Sequence, residues 1–222
     1  MCTVVVRWSP GAAVEILALR DELVGRDFDD PGTWWPDQPT AVGGRDRTAG
    51  GTWCATDTAT GVTALVLNRP QKRDGQPSRG GLPLLALARG EDWPSYIDLR
   101  SMASFALVLA APEAVTLWVY DGAALTSEAL DPGTHMVTSG GAEDGKAGRF
   151  LADFEAAPVG EWAALIGRHQ PQDDPAALVV RHATADAVYA TVFGQVITAE
   201  PGHVGLSWSR TPWVLGSWQS RQ

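Results

Sequence analysis

Apolar and polar positions alternate along the chain in short runs, broken by Gly, Pro, Asn and Asp, which is the punctuation of strands rather than of long helices. Thr3 to Trp8 is a β-branched run, Pro10-Gly11 interrupts it, and Val14 to Leu19 resumes the apolar pattern, so a hairpin is expected. Its second strand runs straight into Arg20-Asp21-Glu22, which puts three charged side chains at or just past a strand end. Val24 to Gly51 reads as loop, with Asp29-Asp30-Pro31-Gly32, Trp34-Trp35-Pro36 and the pairs Gly43-Gly44 and Gly50-Gly51 as turns. A loop of that length usually carries function or flexibility. Thr52 to Thr56 and Val62 to Leu67 form a second hairpin around Thr60-Gly61, and Asn68 closes it. Arg69 to Gly81 is polar and glycine-containing, hence an exposed connection.

Leu82 to Arg89 has the length and spacing of a short helix, and Trp93 to Ser101 of a second one. Phe105 to Ala111, Val115 to Tyr120, Ala124 to Leu130 and His135 to Thr138 then read as an antiparallel meander, separated by Ala111-Pro112, Asp121-Gly122 and Asp131-Pro132-Gly133. Gly145 to Ala156 and Val159 to His169 carry apolar residues three or four apart and predict helices. Ala176 to Arg181, Ala187 to Phe193, Val196 to Glu200 and Val204 to Trp208 complete a second strand series. With no repeat, low-complexity tract or linker, residues 1–222 read as a single α+β domain of packed antiparallel sheets.

Composition narrows the function. The 222 residues are 45% hydrophobic and 19% charged, so the chain can bury a core and is not a disordered protein. The 24 glycines and 15 prolines argue against a helical bundle. A formal net charge of -9 repels nucleic-acid phosphates and anionic membranes on average, which lowers both as partners in favour of a small molecule. Runs such as Phe105 to Ala111 are far shorter than the roughly 20 residues of a membrane span. No signal-peptide pattern opens the chain, and the two cysteines, Cys2 and Cys54, make no CxxC spacing, so a reducing cytoplasmic setting is expected. Nothing in the pattern speaks to oligomeric state.

Cys2 is the most unusual placement. Removal of Met1 would leave a thiol beside its own α-amine, a nucleophile with a built-in base whose reference pKa of about 7.7 to 8.0 suits proton transfer near neutrality. The hairpin returns Arg20 and Asp21 to that end of the sheet, where a cation favours thiolate and a carboxylate can hold the ammonium or the substrate. Asn68 could donate to a developing oxyanion, and Arg181, also ending a strand, could contact an anionic group of the substrate.

Met1-Cys2-Thr3-Val4, Leu17 to Glu22, Gly43-Gly44-Arg45-Asp46, Gly50-Gly51-Thr52-Trp53, Leu65 to Arg69, Phe105 to Tyr120 and Leu130 to His135 together resemble the NRDE family, also known as the transport and Golgi organisation protein 2 family. That family is similar in organisation to N-terminal-nucleophile (Ntn) hydrolases, so the resemblance implies a four-layer αββα sandwich with an N-terminal cysteine ending a central strand. It implies Cys2 as nucleophile, Arg20 and Asp21 beside it, Asn68 as oxyanion donor, Ser139 in the substrate pocket, and an amide-type bond as substrate. Leu19 stands where the motif has its asparagine, and Ser139-Gly140 where Ser-Asn is common. The family's association with haem trafficking and lipid homeostasis adds a second expectation, a carrier of haem or another hydrophobic metabolite.

Haem would need an axial His, Cys, Met or Tyr in an apolar pocket, and His135, His169, His182 and His203 fall at no metal-motif spacing. No metal and no required cofactor is therefore expected. Trp34 and Trp35 could cover a pocket and stack on a flat ligand. The double glycines lack phosphate-loop spacing, Asp27, Asp29 and Asp30 lack a calcium-loop frame, and Cys54 reads as a small buried side chain.

Overall fold

A computed structural model describes residues 2–70, 76–141 and 145–221. In chain order the strands are β1 (Thr3–Trp8), β2 (Val14–Leu23), β3 (Phe28–Gly32), β4 (Ala41–Asp46), β5 (Cys54–Asp57) and β6 (Thr63–Asn68). Helix α1 (Leu82–Arg89) precedes β7 (Phe105–Ala111), β8 (Ala114–Tyr120), β9 (Leu125–Leu130) and β10 (Gly133–Thr138). After α2 (Lys146–Ala156) and α3 (Trp162–Ile166) come β11 (Arg181–Ala183), β12 (Val188–Glu200), β13 (His203–Ser209) and β14 (Gln219–Arg221).

The described strands form two antiparallel sheets. One runs β10-β1-β2-β12-β13-β14, with β11 also on β12, and the other is the meander β3 to β9. Period-two alternation assigns the faces. Val4, Val6 and Trp8 of β1 and Val14, Ile16 and Ala18 of β2 meet Leu65, Leu67, Ala106 and Val108 of the second sheet in one core. Val5, Leu17 and Leu19 point the other way, onto Phe154 of α2 and Trp162, Leu165 and Ile166 of α3. On the far side of the second sheet, Ala64, Val66, Phe105 and Leu107 pack under Leu82 and Ala86 of α1 and Trp93. Three cores between four layers make an αββα sandwich, the architecture expected from the resemblance.

Departures from the sequence reading have local causes. Val24 to Gly51 is no loop, since it contains β3 and β4, with Gly43 and Gly44 inside a strand. β2 extends through Leu23, which places Arg20, Asp21 and Glu22 within the ladder rather than past it. The meander ends at β9, and β10 crosses to the other sheet to pair with β1. In place of the helix expected over Trp93 to Ser101 are 3-10 turns at Gly90–Tyr96, which contains Pro94, and at Leu99–Ser101, separated by Ile97 and Asp98 in extended conformation. Of the strand expected over Ala176 to Arg181, Ala177 to Val180 are buried but make only an isolated bridge, between Val180 and Gln172, because an apolar run marks burial and not a ladder partner. The two strands expected over 187–200 are one, β12, and the helix expected to reach His169 ends at Ile166. Part of the connection expected over 69–81 lies outside the described residues.

Candidate active site

Alternation and register place the site. Thr3 pairs with Leu19 and with Thr138, so one further step sets Cys2 across from Arg20 on one side and Ser139 on the other. The Cys2 nitrogen donates to Ser139 Oγ at 2.9 Å, and the Ser139 N–H donates to the Cys2 carbonyl at 3.1 Å. Cys2 Sγ lies 3.8 Å from the backbone oxygen of Asp21.

Residue parity then sends two neighbours in opposite directions. Arg20 follows Ile16 and Ala18 toward the facing sheet, where its guanidinium stacks 4.4 Å from the Trp53 ring centroid and 5.1 Å from that of Phe28. Its Nη2 contacts Glu22 at 3.4 Å and Asp46 at 3.3 Å, while its buried Nη1 has no partner among the described residues. Asp21 follows Leu17 and Leu19 toward the helical layer. There Thr191, its cross-strand partner on β12, donates to its Oδ1 at 2.6 Å, and Lys146 Nζ stands 3.8 Å from its Oδ2. Lys146 has no exposed surface and also donates to Thr3 Oγ1 at 3.0 Å.

These groups border a cavity of about 650 Å³ whose wall includes Cys2, Arg20, Asp21, Asn68, Arg79 and Ser139. The structure thus gathers five of the six residues singled out from the sequence. It does not bring in Arg181, which is exposed on β11, outside that wall. Trp34 and Trp35 do not line it either; their Nε1 groups donate to Asp30 O and Gly50 O. Cys54 is fully buried, and burial pushes its thiol far above the ordinary range, Gln195 partly offsetting that. Lys146, Thr191 and Arg79 went unseen in the sequence, and Asp46 stood there only within a resembling segment with no role attached, because a lone side chain carries no signal of what it faces.

Electrostatics around the thiol are opposed. Burial pushes the Cys2 thiol up and the Asp21 charge adds to this, while the backbone contact to Asp21 and the Arg20 charge pull it down; the net direction is up. For Asp46, burial pushes up, yet the Arg26 hydrogen bond at 2.6 Å, the Ala49 amide and the charges of Arg26 and Arg20 outweigh it and hold the carboxyl below its usual value.

Haem does not fit this wall well. Seven of its side chains are charged, none is histidine, and only Cys2 and Tyr189 offer axial atoms. Among the described residues no cluster of three or more His, Cys, Asp or Glu could hold a metal ion, and no helix is long and apolar enough to cross a membrane.

A two-sheet αββα protein with a cysteine at the end of a central strand, opening on a polar cavity, is the class these features define. The chain belongs to the Transport and Golgi organisation 2 family, whose pattern it matches over residues 1–161. No curated protein matches it. Among solved structures, the Caenorhabditis elegans N-acylethanolamine-hydrolyzing acid amidase (NAAA) ortholog is similar over 100% of both chains, with 9% identity and a TM-score of 0.44, too distant a likeness to carry an inference.

Proposed function

We propose that the protein is a cysteine N-terminal-nucleophile hydrolase acting on amide-type C–N bonds once Met1 has been removed. The observation that carries this is the hydrogen bond from the Cys2 nitrogen to Ser139 at the cavity wall, beside the Cys2 thiol. In the processed chain that nitrogen becomes the α-amine, held by Ser139 next to its own sulfur. The free amine takes the thiol proton as sulfur attacks the substrate carbonyl, and Asn68 donates to the resulting oxyanion. Collapse breaks the C–N bond, the α-ammonium returns the proton to the leaving amine, and water then hydrolyses the thioester by the reverse sequence. Asp21, anchored by Thr191 and Lys146, favours the ammonium, while Arg20 offsets the negative charge on sulfur. The charged wall favours this reading over a haem carrier, since a macrocycle prefers apolar surroundings.

The test is the intact mass of protein expressed from its own start, before and after iodoacetamide, with Cys2→Ala alongside. The expected result is loss of the Met1 mass and one adduct that disappears in the variant, the buried Cys54 staying unmodified, with amide hydrolysis falling at least about 1,000-fold in Cys2→Ala. Retained Met1, or undiminished turnover in the variant, overturns the mechanism.

A further inference from the structure

The cavity carries a charge imbalance that the proposed chemistry does not use. Four arginines, Arg20, Arg26, Arg69 and Arg79, share its wall with three carboxylates, Asp21, Glu22 and Asp46. Asp21 already faces buried Lys146, and Arg20 and Arg26 share Glu22 and Asp46. Among the described residues Arg69 and Arg79 make no ion pair at contact distance, though the charges of Asp121 and Glu22 act on them from farther off. In a chain of net charge -9, the described wall of this cavity therefore carries more cations than anions.

Arg79 is the more telling of the two. It is half-buried, and its guanidinium, with five donors, is engaged through Nη1 to the Ser104 carbonyl at 2.7 Å. Burial pulls it down from its usual value while the nearby Cys2 and Glu22 groups push it back up, so it stands within electrostatic reach of the thiol. A partly desolvated cation with no carboxylate at contact distance is costly, and a ligand anion relieves that cost through a bidentate fork. The unfilled Nη1 of Arg20 is a second buried donor on the same wall.

We infer that the substrate of this site is an amide bearing a compact anionic group, carboxylate or phosphate, which Arg79 binds with Arg69 beside it while the scissile carbonyl meets Cys2. The inference rests on the hydrolytic reading for its amide, and on the arginines alone for its anion.

The two parts separate in a binding experiment on full-length Cys2→Ala, which cannot turn over. Three probes share one amide and differ at the far end: N-benzoylglycine, N-benzoylglycinamide and N-benzoyl-O-phosphoethanolamine. Calorimetric titration is expected to give at least tenfold tighter binding for one or both anionic probes than for the neutral one. The tighter of the two identifies the preferred anion as carboxylate or phosphate, and equal gains mean that the subsite accepts either. That advantage should vanish in Arg79→Gln, shrink in Arg69→Gln and be retained in part in Arg79→Lys, with melting curves verifying that each variant is folded. Equal binding of all three probes, binding of none at millimolar concentration, or an advantage that survives Arg79→Gln in a folded protein overturns the anionic subsite. If the anionic preference holds while the native-start protein hydrolyses no amide, the arginine subsite stands and the hydrolytic reading fails.

Discussion

A lysine with no exposed surface needs a reason, because burying an ammonium is expensive unless it is paired. At Lys146 the reason is Asp21, which the same residue reaches from α2 while also donating to Thr3, next to Cys2. Lys146→Met leaves the Asp21 carboxylate without that cation, and a loss of about 3 kcal/mol is expected by urea denaturation. A loss under about 1 kcal/mol would mean the pair holds nothing in place. Asp46 and Asp29 give a second prediction. Hydrogen bonds from Arg47 and Arg45 hold the Asp29 carboxyl down against burial, as Arg26 does for Asp46. A depressed carboxyl binds fewer protons folded than unfolded, so its stability is complete above the unfolded pKa near 3.9 and is lost as pH falls through the lower folded value. Melting temperature followed from pH 7 downward should therefore hold until below about pH 4, and Arg26→Gln should move the decline to higher pH; superimposable profiles would contradict this. Cys2, Arg20, Asp21 and Ser139 were legible because position in the chain and in a motif singled them out. Lys146 and Thr191 were not, since a partner across a sheet or from another layer leaves no trace in local spacing.

Between residues and layers, the glycine pairs decide how closely the elements approach. A Cβ on Gly43 would strike the Cys54 carbonyl and Ala55, and one on Gly44 the Trp53 ring, so β4 lies flat against its neighbours only because both side chains are missing. Their appearance in sequence as turn signals was misleading for this reason, and it hid β3 and β4 inside an apparent loop. Gly50, at φ +73°, is a turn as expected. Gly51 is a contact point, where a Cβ would run into the Gly80 carbonyl that accepts from Thr52 N–H at 2.8 Å. Gly51→Ala should push away the backbone next to Arg79. The expected cost is about 1–3 kcal/mol, with weaker binding of an anionic probe and no change in iodoacetamide labelling of Cys2. Unaltered probe affinity would show that the Gly51–Gly80 contact does not set the arginine's place. By contrast α1 was legible to the residue, with Pro83 in its first turn and Gly90 at φ +57° after its last.

For the molecule as a whole, packed antiparallel sheets followed from the strand pattern and the four-layer plan from the family resemblance, but neither told which strands share a sheet. β12 comes from the C-terminal third, beyond the 161 residues of the family match, yet it runs along β2 from Tyr189↔Leu23 to Ala199↔Val14 and carries Thr191 to Asp21. A chain ended at residue 161 would expose the edge of β2 and strip Asp21 of a partner. It should show no cooperative melting transition, and a wild-type-like transition would mean that β12 is dispensable. The same topology sets a clock. Cys2 is tied on both sides, to Ser139 about 137 positions away and to the strand that β12 closes, so its surroundings are complete only after nearly all of the chain has been synthesised. Sheets built from such distant pairings form slowly. An aminopeptidase that is to release the α-amine of Cys2 therefore has its easiest access to the nascent chain, before β10 seals the edge of β1, and protein refolded with Met1 still attached should resist later trimming. On the mechanism proposed above, exposure of the Cys2 amine is then set by a race between translation, processing and sheet closure, which would make the rate of folding itself a determinant of how much processed protein a cell obtains.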